Sequence, residues 1–239
     1  MKLFWRIKVS NIIKLYHGTD HILEMPVFGE GKKDNDYGLG FYCTKDIELA
    51  KEWACQKNNK GYINKYSLDL EQMNVLYINS SKNSILHWIS ILIENREIDN
   101  IENHEAINFL KKHFSLDINS YDMLVGYRAD DSYFAFARDF VNDAITIQTL
   151  SKAMLLGKLG YQYVLKSKKA FDSIKYIGSE KVEPSVYYTK YKNRDTEARN
   201  KYQNLKHKPK SKGIIITEII KNPSLYNYAP FLEYRQSKA

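Results

Sequence analysis

The chain has little cysteine, no long apolar run and no internal repeat, and each absence removes a class of protein. Two cysteines among 239 residues, Cys43 and Cys55, cannot build a disulfide framework. No Cys/His pattern has zinc spacing, so no metal is expected, and two free thiols in a cytoplasmic chain are the expected state. The most apolar run, residues 85–93, is about nine residues long and contains His87. Crossing a bilayer takes roughly 20 such residues, so no membrane partner is expected. Residues 1–6 are too short in their apolar part, and Arg6 and Lys8 break the run, so no signal peptide is expected either.

What is present points to a folded body with a basic end. Hydrophobic residues make up 44% of the chain and aromatics 13%, enough for a core in one sizeable domain with an extension. The net charge of +8 is unevenly placed: residues 187–213 hold nine Lys/Arg against two acids, leaving the rest of the chain close to neutral. The composition changes near Pro184. This divides the chain into an expected domain over residues 1–186 and a basic, Tyr/Lys-rich helical extension over 187–239. Lys/Arg interleaved with Tyr187, Tyr188, Tyr191 and Tyr202 either tracks a nucleic acid or forms a solvated helix that binds an acidic partner such as an antitoxin.

Periodicity predicts strands over 11–17, 62–68, 75–78, 123–127, 161–166 and 174–177. Helices are predicted from an Asp46 N-cap to about residue 58, over 85–93, around Ala106–Phe109–Leu110, and over 132–142 and 147–156. A further helix is expected over 187–205, with a short helix or strand over 214–220. Strands and helices do not alternate regularly, so the fold class is α+β.

The chemistry concentrates in residues 14–54, KLYHGTDHILEMPVFGEGKKDNDYGLGFYCTKDIELAKEWA. A strand closes on His17-Gly18-Thr19. Gly38 and Gly40 then brace a turn that presents Tyr42, and Trp53 follows eleven residues later on a helix. Taken singly, these residues read as a strand-end histidine, a turn glycine and core aromatics. Together they resemble the NAD-binding core of the ADP-ribosyltransferases, especially the diphtheria-toxin and poly(ADP-ribose) polymerase branch. The likeness is dense over 14–54 and continues in spaced patches across residues 12–180. It implies a split antiparallel β-sheet core with flanking helices, a cleft for NAD as substrate, and no metal.

The resemblance also implies roles. His17 holds a ribose hydroxyl, Gly18 grips the carboxamide through its backbone with no Cβ in the way, and Thr19 supports the ribose. Tyr42 stacks on the nicotinamide, a cation–π contact worth about 0.5–2 kcal/mol, and Trp53 is the second ring. Ala50 stands where the polymerase branch has a serine. Gln162 stands where the family has its late-strand glutamate, which implies transfer of a single ADP-ribose without chain extension. Asp130 and Asp131, in an Ala-Asp-Asp shared with a similar group of bacterial proteins, either supply the missing carboxylate or cap the next helix. Arg128 meets a diphosphate or pairs with those acids. The implied function is mono-ADP-ribosylation of a macromolecule (RNA, DNA or protein) by an intracellular bacterial toxin of a toxin–antitoxin or phage-defence system. A non-catalytic NAD or ADP-ribose binding module and an NAD glycohydrolase are the alternatives.

Overall fold

The computed structural model describes residues 11–56, 60–78, 84–128, 131–207 and 213–222, and the side chains of residues 84, 131 and 132 are not among them. In chain order, the first half contains β1 (Ile12–Thr19), β2 (Phe41–Cys43), α1 (Ile47–Ala54), β3 (Gly61–Asp69), β4 (Val75–Tyr77), α2 (Ser84–Asn95) and α3 (His104–Phe114). The second half contains β5 (Met123–Tyr127), α4 (Asp131–Val141), α5 (Ile147–Ala153), β6 (Tyr161–Leu165), α6 (Lys168–Ser173), β7 (Lys175–Val182), α7 (Pro184–Lys206) and α8 (Ile216–Lys221). The fold is α+β.

The strands form two sheets. One is antiparallel, in the order β1-β3-β7; the other runs β2-β6-β5-β4. The second sheet is mixed rather than purely antiparallel, because β4 pairs parallel with β5. The path between those two strands passes through α2 and α3, the long crossover that a parallel pair requires. The sheets meet edge to edge, where Tyr16 and Thr44 exchange backbone hydrogen bonds of 2.8 and 2.9 Å.

Most expected elements form, and their ends shift for local reasons. Asp46 caps α1 by accepting from the N–H groups of Glu48 and Leu49. That helix stops at Ala54, short of the expected 58. The helix expected over 147–156 ends at Ala153; a 3₁₀ turn follows at Leu156–Lys158, where Gly157 takes a φ of +71°. The strand expected over 174–177 runs on to Val182 because β3 offers a full-length partner. Residues 214–220 contribute a helix, α8, whose Ile216 and Ile219 are buried.

The main core packs α2, α4 and α5 around Trp88, Phe136 and Phe140. The basic helix α7 shares it. Tyr202 is buried, packs on Phe136 at 3.9 Å between ring centroids, and donates to Asp139 at 2.6 Å. Both cysteines are buried free thiols, and no helix among the described residues is long and apolar enough to cross a membrane.

Candidate functional site

The seam between the two sheets carries the first predicted residue. His17, near the end of β1, places Nδ1 2.7 Å from the carbonyl oxygen of Tyr42 on β2. A carbonyl only accepts, so Nδ1 carries the proton and the neutral ring keeps Nε2 as an acceptor. Desolvation pushes the His17 pKa below the usual histidine value. The bond to Tyr42 opposes that shift and the nearby His21 adds to it.

The turn before β2 is tied from several sides. The Tyr42 hydroxyl donates to Gly38 O at 2.5 Å and accepts from Tyr37 N–H at 3.1 Å. Burial raises the Tyr42 pKa well beyond the usual phenol range. Fully buried Tyr37 donates to Tyr127 O at 2.5 Å, which pins the turn to β5. Lys166, just past β6, donates to the carbonyls of Tyr37 and Leu39 at 2.8 and 2.7 Å. Gly38 sits at φ +69°, and a Cβ there would lie 2.5 Å from Asn95 Oδ1. The positive φ is what calls for glycine here, since the Asn95 side chain could swing away from an added Cβ.

Beside this turn lies a cavity of about 300 Å³. Six of the sequence-predicted residues line it: His17, Gly18, Tyr42, Trp53, Arg128 and Gln162. Arg128 is buried, with its guanidinium carbon 3.3 Å from the Trp53 ring centroid. Trp53 Nε1 is buried with no hydrogen-bond partner among the described residues. Gln162 is 5% exposed; its Nε2 donates to Asp36 Oδ2 at 2.9 Å, while its buried Oε1 has no partner among the described residues.

Thr19 does not line the cavity; it bonds its neighbour Asp20 at 3.3 Å on the surface. Asp130 lies outside the described residues, and Asp131, the first residue of α4, is described by its backbone alone. Gly18 also has a packing role that the sequence does not announce. A Cβ on it would lie 2.1 Å from Ala50 O and 2.7 Å from Ala54 N, so what its missing side chain makes room for is α1.

Four lining residues, Asn35, Asp36, Gln56 and Arg96, carry no prediction from the sequence. Asp36 is 4% exposed and accepts from Gln162 and, at 3.3 Å, from Arg96. A signal for it exists, since it stands beside the glycine-braced turn. Arg96 follows the end of α2 and has no local signature; only the fold brings it to the cavity.

Helix α7 reaches the cavity through Tyr191. Five of its six Lys/Arg side chains meet carboxylates: Lys190 with Glu48, Arg194 with Glu52, Arg199 with Asp195, Lys201 with Glu197 and Lys206 with Asp139. The sixth, Lys192, lies 5.7 and 5.9 Å from the ring centroids of Tyr188 and Tyr191. Much of the helix's formal charge is therefore balanced where it sits.

A family model described as "Protein of unknown function (DUF3990)" matches residues 13–176, which include every cavity residue named above except Tyr191. No curated protein and no solved structure matches the chain.

Proposed function

We propose, for a chain that belongs to the DUF3990 family of proteins of unknown function, that it is a mono-ADP-ribosyltransferase with NAD as its substrate. The observation that carries this reading is convergence. His17, Tyr42, Trp53, Arg128 and Gln162 lie far apart in sequence and line one cavity. A two-sheet α+β body with that cavity beside the seam is compatible with an ADP-ribosyltransferase-like core.

In this reading the bond between ribose C1′ and the nicotinamide nitrogen breaks, and neutral nicotinamide leaves with the electron pair. The ribose passes through an oxocarbenium-like state, and a nucleophilic atom of the acceptor bonds to C1′ and loses its proton to water. His17 Nε2 accepts from a ribose hydroxyl. The Tyr42 ring, held by both bonds of its hydroxyl, faces the nicotinamide. Arg96 and Arg128 bring positive charge toward the diphosphate. The acceptor is a macromolecule, and the biological role is that of an intracellular toxin.

Two observations favour a second reading, a non-catalytic NAD or ADP-ribose binding module. The Arg128 guanidinium already covers a face of Trp53, and residue 162 is neutral. NAD labelled in its adenine and incubated with protein and cell lysate separates the readings. Label on a macromolecule is expected. Free labelled ADP-ribose identifies a glycohydrolase, and binding without turnover identifies a module.

Protease and nuclease controls in that experiment identify the acceptor. If it is a single-stranded nucleic acid, the recruiting charge lies past Lys206, where Lys208, Lys210 and Lys212 follow. Replacing these three lysines with glutamine is expected to flatten the salt dependence of transfer by about 2 in log–log slope, at roughly 0.7 per phosphate contact. NAD binding should not change. Label found only on protein, with no salt sensitivity, would sink the nucleic-acid acceptor.

A further inference from the structure

We propose that Asp36 is a positioning residue that turns Gln162 into the acceptor for a ribose hydroxyl of NAD; the proposal rests on the NAD reading above. A side-chain amide has a donor end and an acceptor end, and its chemistry depends on which end faces the ligand. Gln162 sits on β6 opposite Gly126 of β5. Asp36 approaches it from the turn before β2, and the two meet at 2.9 Å.

The second oxygen of Asp36 is paired with Arg96 at 3.3 Å. A carboxylate held by a guanidinium can only accept, so the NH₂ end of Gln162 must face it. That fixes the amide. Gln162 Oε1 becomes the end turned away from Asp36, and it is buried with no partner among the described residues. An acceptor so placed, on a residue that lines the cavity, needs a ligand donor. A ribose hydroxyl is such a donor.

A glutamate at 162 would present an acceptor in any orientation. Glutamine presents one only if something holds its other end, and Asp36 does so. The negative charge behind the amide also polarises it, strengthening Oε1 as an acceptor. The carboxylate character absent from β6 is thus supplied from the turn, one amide further from the sugar.

The test is a swap in the full-length protein, read as turnover and binding of adenine-labelled NAD. An asparagine at position 36 can offer Gln162 either end, so Asp36→Asn is expected to lower kcat roughly 10–100-fold while KM for NAD changes less than about threefold. Gln162→Glu alone places two carboxylates in contact, so it too is expected to impair turnover. Combined, Asp36→Asn and Gln162→Glu are expected to restore kcat to within about fivefold of the parent, because a glutamate on β6 needs no orienting partner. A merely structural Asp36 would give a loss that no change at 162 repairs. If Asp36→Asn does not fold, Asp36→Ser carries the same comparison, since a hydroxyl donates or accepts and cannot fix the amide. A parent that neither binds nor turns over NAD overturns the NAD reading itself. An active parent whose Asp36 variants match it, or stay impaired when combined with Gln162→Glu, overturns the positioning role and leaves the NAD reading standing.

Discussion

His17→Ala and Tyr42→Ala are each expected to weaken NAD binding roughly 100-fold or more while the protein stays folded. His17→Ala removes the Nε2 acceptor of a histidine that lines the cavity, and it breaks the strap from β1 to the Tyr42 carbonyl. Losing a hydrogen bond to a charged or polar ligand group costs about 1–3 kcal/mol, and each 1.4 kcal/mol is tenfold in affinity. Tyr42→Ala removes the ring face and also the hydroxyl that holds Gly38 and Tyr37. The ring contributes about 0.5–2 kcal/mol to a cationic nicotinamide, and loosening of the turn adds to the loss. Tyr42→Phe is the control: it keeps the ring, gives up both backbone bonds, and is expected to bind within about tenfold of the parent. Calorimetric titration with NAD measures all three. A folded Ala variant that binds like the parent would mean the cavity beside the sheet seam is not the NAD site.

The same histidine sets an expected pH signature. Burial pushes its folded-state pKa below the value of about 6.5 that it regains on unfolding. Above pH 6.5 the ring is neutral in both states, and its contribution to stability is complete. As pH falls through 6.5 the unfolded chain takes up a proton that the folded chain refuses, so stability declines. The decline stops once pH passes the folded pKa. Binding follows a different window: Nε2 stays an acceptor down to the folded pKa, so NAD affinity is expected to hold flat from about pH 8 to 6.5. Unfolding free energies measured from about pH 8 to 5 should show the slope, and His17→Ala should remove its share of it.

Most elements are legible in the sequence because their signals are local; the three-residue β2 and the short α6 are not predicted. The 3.6 period of Ile85, Trp88, Ile89 and Leu92 marks α2 wherever the helix ends up. The capping Asp46 and the glycines around Tyr42 likewise act within a few residues. What stays hidden depends on long-range pairing. Arg96 has nothing in its neighbourhood to connect it with Asp36, sixty residues earlier. The parallel register of β4 against β5 follows from how the α2–α3 crossover packs, which no short window contains. The charge of α7 reads as a free basic face in the sequence. Three of its acidic partners, Glu48, Glu52 and Asp139, come from elements more than 60 residues away, and they balance Lys190, Arg194 and Lys206. Gly18 is predicted for its approach to a ligand, and a second reason for it, its contact with α1, appears only in the fold.

That second reason gives Gly18→Ala a large expected effect on stability. The added methyl would sit 2.1 Å from Ala50 O and 2.7 Å from Ala54 N, both backbone atoms of α1. A flexible side chain could swing away; a helix backbone can yield only by lifting off β1. Overpacking a close contact typically costs about 1–3 kcal/mol, and a clash with backbone at two points lies at or above the top of that range. At about 3 kcal/mol, a domain of this size loses roughly 6–12 °C in Tm. Trimming Ala50 to glycine should not rescue it, because the obstruction is the carbonyl and not the side chain. Lifting α1 would also move Trp53 and draw Glu52 from Arg194, so loss of binding follows as a consequence of the shift. Thr19→Ala, one residue along and outside the cavity lining, is the contrast and should stay within about 0.5 kcal/mol of the parent. Thermal unfolding of the two variants decides the matter. If Gly18→Ala melts like the parent and loses only NAD affinity, the glycine serves the ligand and not the helix.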